Sequence, residues 1–393
     1  MNKILFLSSR LPYPPIGGDR LKNYWLLKIL SKHFKVHLVS ITDQEPAKEF
    51  YNWANDLGLS YKIFQKNKKQ FYLNTLKGLI TNGLPLQVNY YYFKDMQGYI
   101  DSIYENYDLI FPTLIRTAKY VLDKQKPKIL EMTDSIGLNY LRSANQTSSL
   151  KWKIIYSIES KRLLQFEKHC IEQFDKTLFV NKEERDYFNL THKTEWLPNG
   201  VNENLLTYEK IDIKYENHIA FFGKMDYQPN IDAVLWFVEN VLPYLNKTLK
   251  FIVVGAYPAK VIQDLSKNFQ NVEITGFIED PYLILKSALC VVAPMQTGAG
   301  IQNKILECMA LGTINIVSSL AAKPIGAEHN KHFLVCDDPK EIANYINKIY
   351  KNPKNFENLK KNAREYIMNN FTWSIYEKKL IEIIENILKG VVL

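Results

Sequence analysis

A chain of 393 residues is long enough for two domains of ordinary size, each able to bury its own core. With 46% hydrophobic and 23% charged residues it has the composition of a globular protein, which excludes a disordered or collagen-like chain. The net charge of +9 is uneven: 29 basic against 20 acidic residues fall in positions 1–200, and 21 against 21 in the remainder.

No segment approaches the roughly 18 uninterrupted apolar residues that span a bilayer. The opening Met1–Arg10 is too short and too early for a signal peptide, so a cytoplasmic location is expected. Cys170, Cys290, Cys308 and Cys336 lie far apart and form no Cys-x-x-Cys pair, which points to small core residues and away from a disulfide framework or zinc site.

In chain order, the apolar run of residues 3–8 is closed by a Pro- and Gly-rich loop, then by an amphipathic segment from about Gly18 to His33. Further apolar runs follow at residues 35–41, 108–111, 128–132 and 176–180, separated by helical stretches. A second series begins after Leu197-Pro-Asn-Gly-Val201, with runs at 219–222, 251–254, 272–274, 289–292, 314–317 and 333–335. Buried runs alternating with helices predict parallel sheets covered on both faces. The expected organisation is one α/β domain over 1–205, a second over 206–370, and a C-terminal helix over 371–393. That helix carries Tyr376, Leu380, Ile383, Ile384 and Ile387 on one face and is expected to pack back on the first domain.

Within the basic half, residues 61–94 hold six lysines, no acid and several aromatic residues. Three readings stand: contact with an anionic membrane or a phosphorylated acceptor, a solvated helix over an aromatic core, or nucleic acid. No nucleic-acid motif accompanies the charges, so no nucleic-acid partner is expected.

In open α/β sheets, ligands bind beyond the carboxyl ends of the strands. The most specific such loop follows Leu289–Pro294: Gly298 and Gly300 allow close backbone approach, and a helix expected from about Ile301 aims unpaired N–H groups at its guest. Phosphate suits such a helix start. Lys304 and Glu307, three apart, share a face. The lysine can neutralise phosphate and the carboxylate can accept ribose hydroxyls; the alternative is a tight turn with a surface Lys/Glu pair.

The run Gly298-Ala-Gly-Ile-Gln-Asn-Lys-Ile-Leu-Glu307 resembles the nucleotide-sugar signature of retaining GT-B glycosyltransferases of family 4 (glycosyl transferases group 1). Residues 222–236, the Pro198–Val201 loop and the opening 10–20 resemble a subgroup associated with exopolysaccharide and exosortase loci. The resemblance implies two Rossmann-like, doubly wound domains facing a central cleft. It implies transfer of a sugar from a nucleoside-diphosphate-sugar to a saccharide or lipid-linked saccharide, in the cytoplasm or peripherally on the inner membrane face. By the same resemblance Gly17 and Gly18 approach the donor phosphate, Lys224 contacts the diphosphate, Gly276 and Phe277 meet the nucleobase, and Glu307 holds the ribose. Gly298, Gly300, Ile301, Gln302 and Lys304 complete the donor loop, with Asn230 near it, while Asp19 and Arg20 stand on the acceptor side or cap the first helix.

Three departures limit the transfer of roles. The family's first glutamate falls at Ala299, its second phosphate lysine is replaced by Gln228-Pro-Asn230, and its N-terminal histidine is absent from Phe111–Arg116. Arg116 and Asp134 remain as polar candidates near the acceptor. The expected chemistry stabilises the leaving diphosphate electrostatically through Lys224, Lys304 and the helix start, without metal or other cofactor. Competing classes are a GT-B-shaped sugar-nucleotide epimerase, a non-catalytic sugar-binding protein, and a dinucleotide oxidoreductase. The last is disfavoured because the first strand meets Ser8-Ser-Arg-Leu-Pro rather than Gly-x-Gly-x-x-Gly. His329 and His332 are expected to be solvated rather than metal-bound.

Overall fold

A computed structural model describes residues 1–81, 83–147, 149–298 and 300–390. Ala299 lies outside the described residues. The chain divides into two units, Met1–Pro198 with Glu377–Leu393, and Asn199–Tyr376. The change of unit falls at Pro198 because the residues just beyond it pair with the end of the second unit. The Val201 N–H donates to the Phe371 carbonyl at 2.7 Å, and a Cβ on Gly200 would lie 2.4 Å from the Trp373 nitrogen.

The strands of the first unit are β1 (Lys3–Ser8), β2 (Lys35–Thr42), β3 (Ser60–Gln65), β4 (Leu109–Pro112), β5 (Ile129–Thr133), β6 (Lys176–Phe179) and β7 (Thr194–Trp196). They run parallel in the orders β3-β2-β1-β4 and β5-β6-β7. Bridges from Ile110 to Lys128 and from Thr113 to Glu131 join the two sets, so the order reads 3-2-1-4-5-6-7. Its helices are α1 (Gly18–His33), α2 (Lys48–Asp56), α3 (Lys68–Thr81), α4 (Leu86–Tyr90), α5 (Lys94–Ile103), α6 (Ile115–Ala118), α7 (Ile136–Gln146), α8 (Leu150–Gln173) and α9 (Lys182–Tyr187). β1 shows why apolar runs become central strands: Ile4, Leu5, Phe6 and Leu7 are fully buried, and Phe6 stacks on Phe111 of β4 at 5.6 Å between ring centres.

Two strands, β3 and β7, do not follow from the apolar runs. β3 carries Lys62 among Tyr61, Ile63 and Phe64 and is an edge strand, half solvated. β7 has three residues, two of them only partly buried, and owes its conformation to pairing with β6.

The second unit holds β8 (His218–Phe222), β9 (Lys250–Val254), β10 (Val272–Gly276), β11 (Cys290–Ala293), β12 (Asn315–Val317) and β13 (Leu334–Val335). All are parallel, in the order β10-β9-β8-β11-β12-β13. The chain progresses outward from β8 to β10, then returns to place β11 on the other side of β8. Its helices are α10 (Gln228–Asn240), α11 (Lys260–Asn268), α12 (Pro281–Ser287), α13 (Asn303–Ala310), α14 (Ser319–Ala322), α15 (Pro339–Lys351) and α16 (Glu357–Asn370). The last helix, α17 (Trp373–Leu388), begins in this unit, and from Glu377 it belongs to the first. Phe237 of α10 packs on Phe251 of β9 at 4.4 Å between ring centres. The four cysteines are buried and free. Among the described residues no helix is long and apolar enough to cross a membrane.

Candidate functional site

The reversal of strand order between β8 and β11 leaves a crevice at their carboxyl ends, where open parallel sheets receive ligands. The loop after β8 supplies Gly223 and Lys224; the loop after β11 supplies Met295, Gly298 and Gly300. The floor is tight: a Cβ at position 255, just after β9, would lie 1.7 Å from the Gly223 carbonyl oxygen. Gly298 and Gly300 take φ of 118° and 75°, a region side chains avoid, and so turn the chain into α13. That helix starts at Asn303, not near Ile301. Gln302 occupies the N-cap position with no side-chain cap bond, leaving Ile301 in the loop.

Lys304, on the first turn of α13, points back into this crevice. Its Nζ donates to Asn230 Oδ1 at 2.7 Å, lies 3.2 Å from Met295 Sδ and sits 4.3 Å above the Phe221 ring. Asn230 in turn donates from Nδ2 to the Lys224 carbonyl at 2.9 Å, tying both loops to one amide. Every contact of Lys304 is neutral; no carboxylate pairs with it among the described residues. Burial therefore pushes its ammonium down to about 7. Glu307, one turn further, is half-buried and pushed up to about 7 by burial, with Tyr282 of α12 hydrogen-bonded to it. The surface Lys/Glu pair is thus not what forms: the two side chains have separate partners. Lys224 is more exposed, pairs with Asp226 at 2.9 Å and lies 5.3 Å from the Tyr257 ring centre. Gly276 ends β10 with φ 68°, and Phe277 beyond it stands 76% exposed, a free apolar face at the rim of the same sheet end.

The first unit gathers its own candidates at the ends of β1, β4 and β5. Gly17 is the N-cap of α1, with φ 102°, and Gly18 begins the helix with open space around its Cα. Asp19 does not cap: its Oδ1 accepts from the Arg20 N–H, and its Oδ2 lies between Arg10 Nη1 at 3.2 Å and Arg116 Nη1 at 3.9 Å. Arg116 is further fixed by Gln87 Oε1 at 3.0 Å and by the Tyr91 ring 5.1 Å away. Arg20 lines a cavity of about 270 Å³ with Arg10, Asp43, Tyr90 and Tyr91.

Asp134, just past β5, is half-buried in a group of carboxylates. Burial and the nearby Glu184 raise it to about 7, against the pull of Arg142 and Lys22. Lys22 is fully buried, 3.8 Å from Glu131. Glu184 accepts from the Ser135 N–H at 2.7 Å and from Arg142 at 2.7 Å, while Glu167 accepts from Ser135 Oγ at 2.6 Å and the Gly137 N–H at 3.0 Å. Lys22, Glu131, Glu167 and Glu184 carry no signal in the sequence, since residues far apart meet only through the sheet order. Met295 and Tyr282 escape sequence reading for the same reason. Arg10 stood inside the opening motif and was within reach of it. Among the described residues no group of three His, Cys, Asp or Glu could hold a metal ion.

Known proteins share this fold. Residues 216–352, which contain the crevice, match the family described as glycosyl transferases group 1. An uncharacterized 44.6 kDa protein in the cps region of Klebsiella pneumoniae is 23% identical, covering 94% of this chain and 97% of that one. The crystal structure of HepE from Anabaena in complex with UDP superposes with a TM-score of 0.70 at 14% identity, covering 98% of this chain and all of HepE at 100%. Sucrose-phosphate synthase from Thermosynechococcus elongatus gives a TM-score of 0.70 at 16% identity, over 99% of this chain and 100% of that one. The Rossmann-like sheet in each unit and these neighbours show the GT-B fold, and the second unit carries the match to glycosyl transferases group 1.

Proposed function

We propose that the chain is a retaining glycosyltransferase that moves a sugar from a nucleoside-diphosphate-sugar to a saccharide or lipid-linked saccharide in cell-surface polysaccharide biosynthesis. The observation that carries the donor side is Lys304: a lysine aimed into the β8/β11 crevice has only neutral partners among the described residues, so an anionic guest supplies the counter-charge it lacks. HepE, of the same fold, has been crystallised with UDP and with UDP-glucose, and the relative in a cps region supports a polysaccharide setting.

Departure of the nucleoside diphosphate places growing negative charge on its phosphate oxygens. Lys304, the start of α13 and the more exposed Lys224 offset that charge. No metal is needed in this scheme. Gly298, Gly300, Ile301 and Gln302 let the backbone approach the phosphates, Glu307 accepts the ribose hydroxyls, and Phe277 with Gly276 borders the base. On the acceptor side, Arg20, the Asp19–Arg116 pair and Asp134 of the first unit bind the acceptor. A protonated Asp134 donates a hydrogen bond and an ionised one accepts, so its position near 7 suits proton traffic. The enzyme works on the cytoplasmic side, with its basic first unit towards the membrane.

A thermal-shift screen with UDP-, GDP-, CMP- and dTDP-sugars, with and without EDTA, tests the donor reading. One nucleotide class should raise the melting temperature equally in both conditions. No shift with any of them overturns the reading, and a shift abolished by EDTA overturns its metal-free part.

A further inference from the structure

Helix α3 is built inside out. Phe71 and Gly78 are its buried positions, with Asn74 and Thr75 partly buried beside them. Gly78 lies so close to Asn89 of α4 that a Cβ there would meet the Asn89 side chain. A largely small and polar face therefore packs inward. Tyr72, Leu73, Leu76, Leu79 and Ile80 stand outward, 45% to 89% exposed. An amphipathic helix serving only its own core would show the reverse.

The first turns of α8 behave alike: Leu150, Trp152, Ile154 and Ile158 are 48% to 73% exposed. The two surfaces adjoin. Arg162 of α8 donates to the Gly83 and Leu84 carbonyls at 3.2 and 3.0 Å, and Glu159 accepts from the Leu86 N–H at 2.7 Å. This pins the chain just after α3 to α8, one turn from Ile158.

Charge decides what covers the patch. Residues 68–81 and 147–158 contain five lysines and no acid. Lys69, Lys77, Lys151 and Lys153 are exposed and make no ion pair among the described residues. A two-fold contact with a second copy would set these lysines against their own images. A surface that pairs an apolar interior with negative head groups matches both features.

We propose that the outward faces of α3 and the first half of α8 form a docking surface for an anionic lipid bilayer, with the apolar side chains entering the acyl boundary and the lysines meeting lipid phosphates. This deepens the membrane-facing part of the proposed function and does not depend on the donor chemistry.

The test is flotation of the full chain with vesicles of phosphatidylcholine containing one-third phosphatidylglycerol, and with pure phosphatidylcholine. Four proteins are compared: wild type, Leu76→Glu/Ile80→Glu, Trp152→Glu/Ile154→Glu, and the control Ile211→Glu/Ile213→Glu, whose residues are equally exposed in the second unit. Wild type and control should float with the anionic vesicles and less with the neutral ones, and each patch variant should lose at least about tenfold in partitioning. A far-UV circular dichroism spectrum and a urea midpoint like those of wild type in every variant serve as the check of folding. Failure of wild type to float, or flotation of the patch variants at wild-type level, overturns the proposal. So does a wild-type oligomer that the patch variants dissociate, which would make a second copy the occupant. Flotation that depends on the patch in a protein that binds no sugar nucleotide would retain the docking surface and remove the transfer reaction.

Discussion

Replacing Lys304 with methionine keeps the volume of the side chain and removes its charge. In the free protein the ammonium makes one short hydrogen bond, to Asn230, and otherwise lies against Met295 and the Phe221 ring. Its loss costs about 1 kcal/mol of hydrogen bonding but relieves a lysine that burial already holds near 7. The relief is the larger effect at neutral pH, so Lys304→Met should be no less stable than wild type. With a diphosphate bound, the same side chain supplies a charge-assisted contact of about 1.5–3 kcal/mol, or roughly 10- to 150-fold in affinity. Titration calorimetry with UDP, or with whichever diphosphate the screen selects, reads this directly. Wild-type binding should tighten as pH falls from about 8.5 to 7, as Lys304 takes up its proton, and the variant should lose that slope. A folded Lys304→Met protein with wild-type affinity at both pH values would refute the assignment.

Glu307→Gln should weaken UDP binding about tenfold, close to 1.4 kcal/mol, while leaving inorganic pyrophosphate binding unchanged, because the carboxylate is assigned to ribose. Equal losses for both ligands would contradict that role. Gly255→Ala forces a methyl group to 1.7 Å from the Gly223 carbonyl and should destabilise the second unit by at least about 3 kcal/mol, visible as a lowered urea midpoint; an unchanged midpoint would mean that the loops after β8 and β9 do not approach as described. Glu167 is fully buried and raised to about 7 from its ordinary value of 4.5. The folded state then binds the extra proton between those values, so the associated stability is complete below about 4.5 and is lost as pH rises through 7. Glu167→Gln should remove that part of the decline, at most about 3 kcal/mol, in urea unfolding at pH 5 and pH 8; an identical pH dependence in both proteins would show that Glu167 is not the group concerned.

The parallel sheets were legible because their central strands are unbroken apolar runs, as in Ile4–Leu7 and Phe251–Val254. β3 was not, because Lys62 interrupts a half-solvated edge where pairing to β2, rather than burial, sets the conformation. The turn after β11 could be read from its glycines, whose positive φ is a local requirement. What Lys304 does there could not: its partners Asn230 and Phe221 lie more than seventy positions away, and only the return of β11 to the side of β8 brings them together. The lysine-rich 61–94 stretch divided in a way composition does not foretell. Its aromatic residues Phe71, Tyr91 and Phe93 joined the core, while the aliphatic residues of α3 turned outward. The buried carboxylates around Asp134 had no sequence signature, since isolated acids on helices ordinarily face water.

The central claim is that this chain transfers a sugar from a nucleotide donor held by Lys304. Its most direct test is mass spectrometry of an incubation with the selected nucleotide-sugar and a set of saccharide and lipid-linked acceptors, with the anomeric configuration of any product read by NMR. The account predicts an acceptor heavier by one sugar, an equal amount of free nucleoside diphosphate, the donor's anomeric configuration in the new bond, and loss of all three in Lys304→Met. An isomerised donor with no acceptor modified, or full transfer by the folded variant, would contradict it.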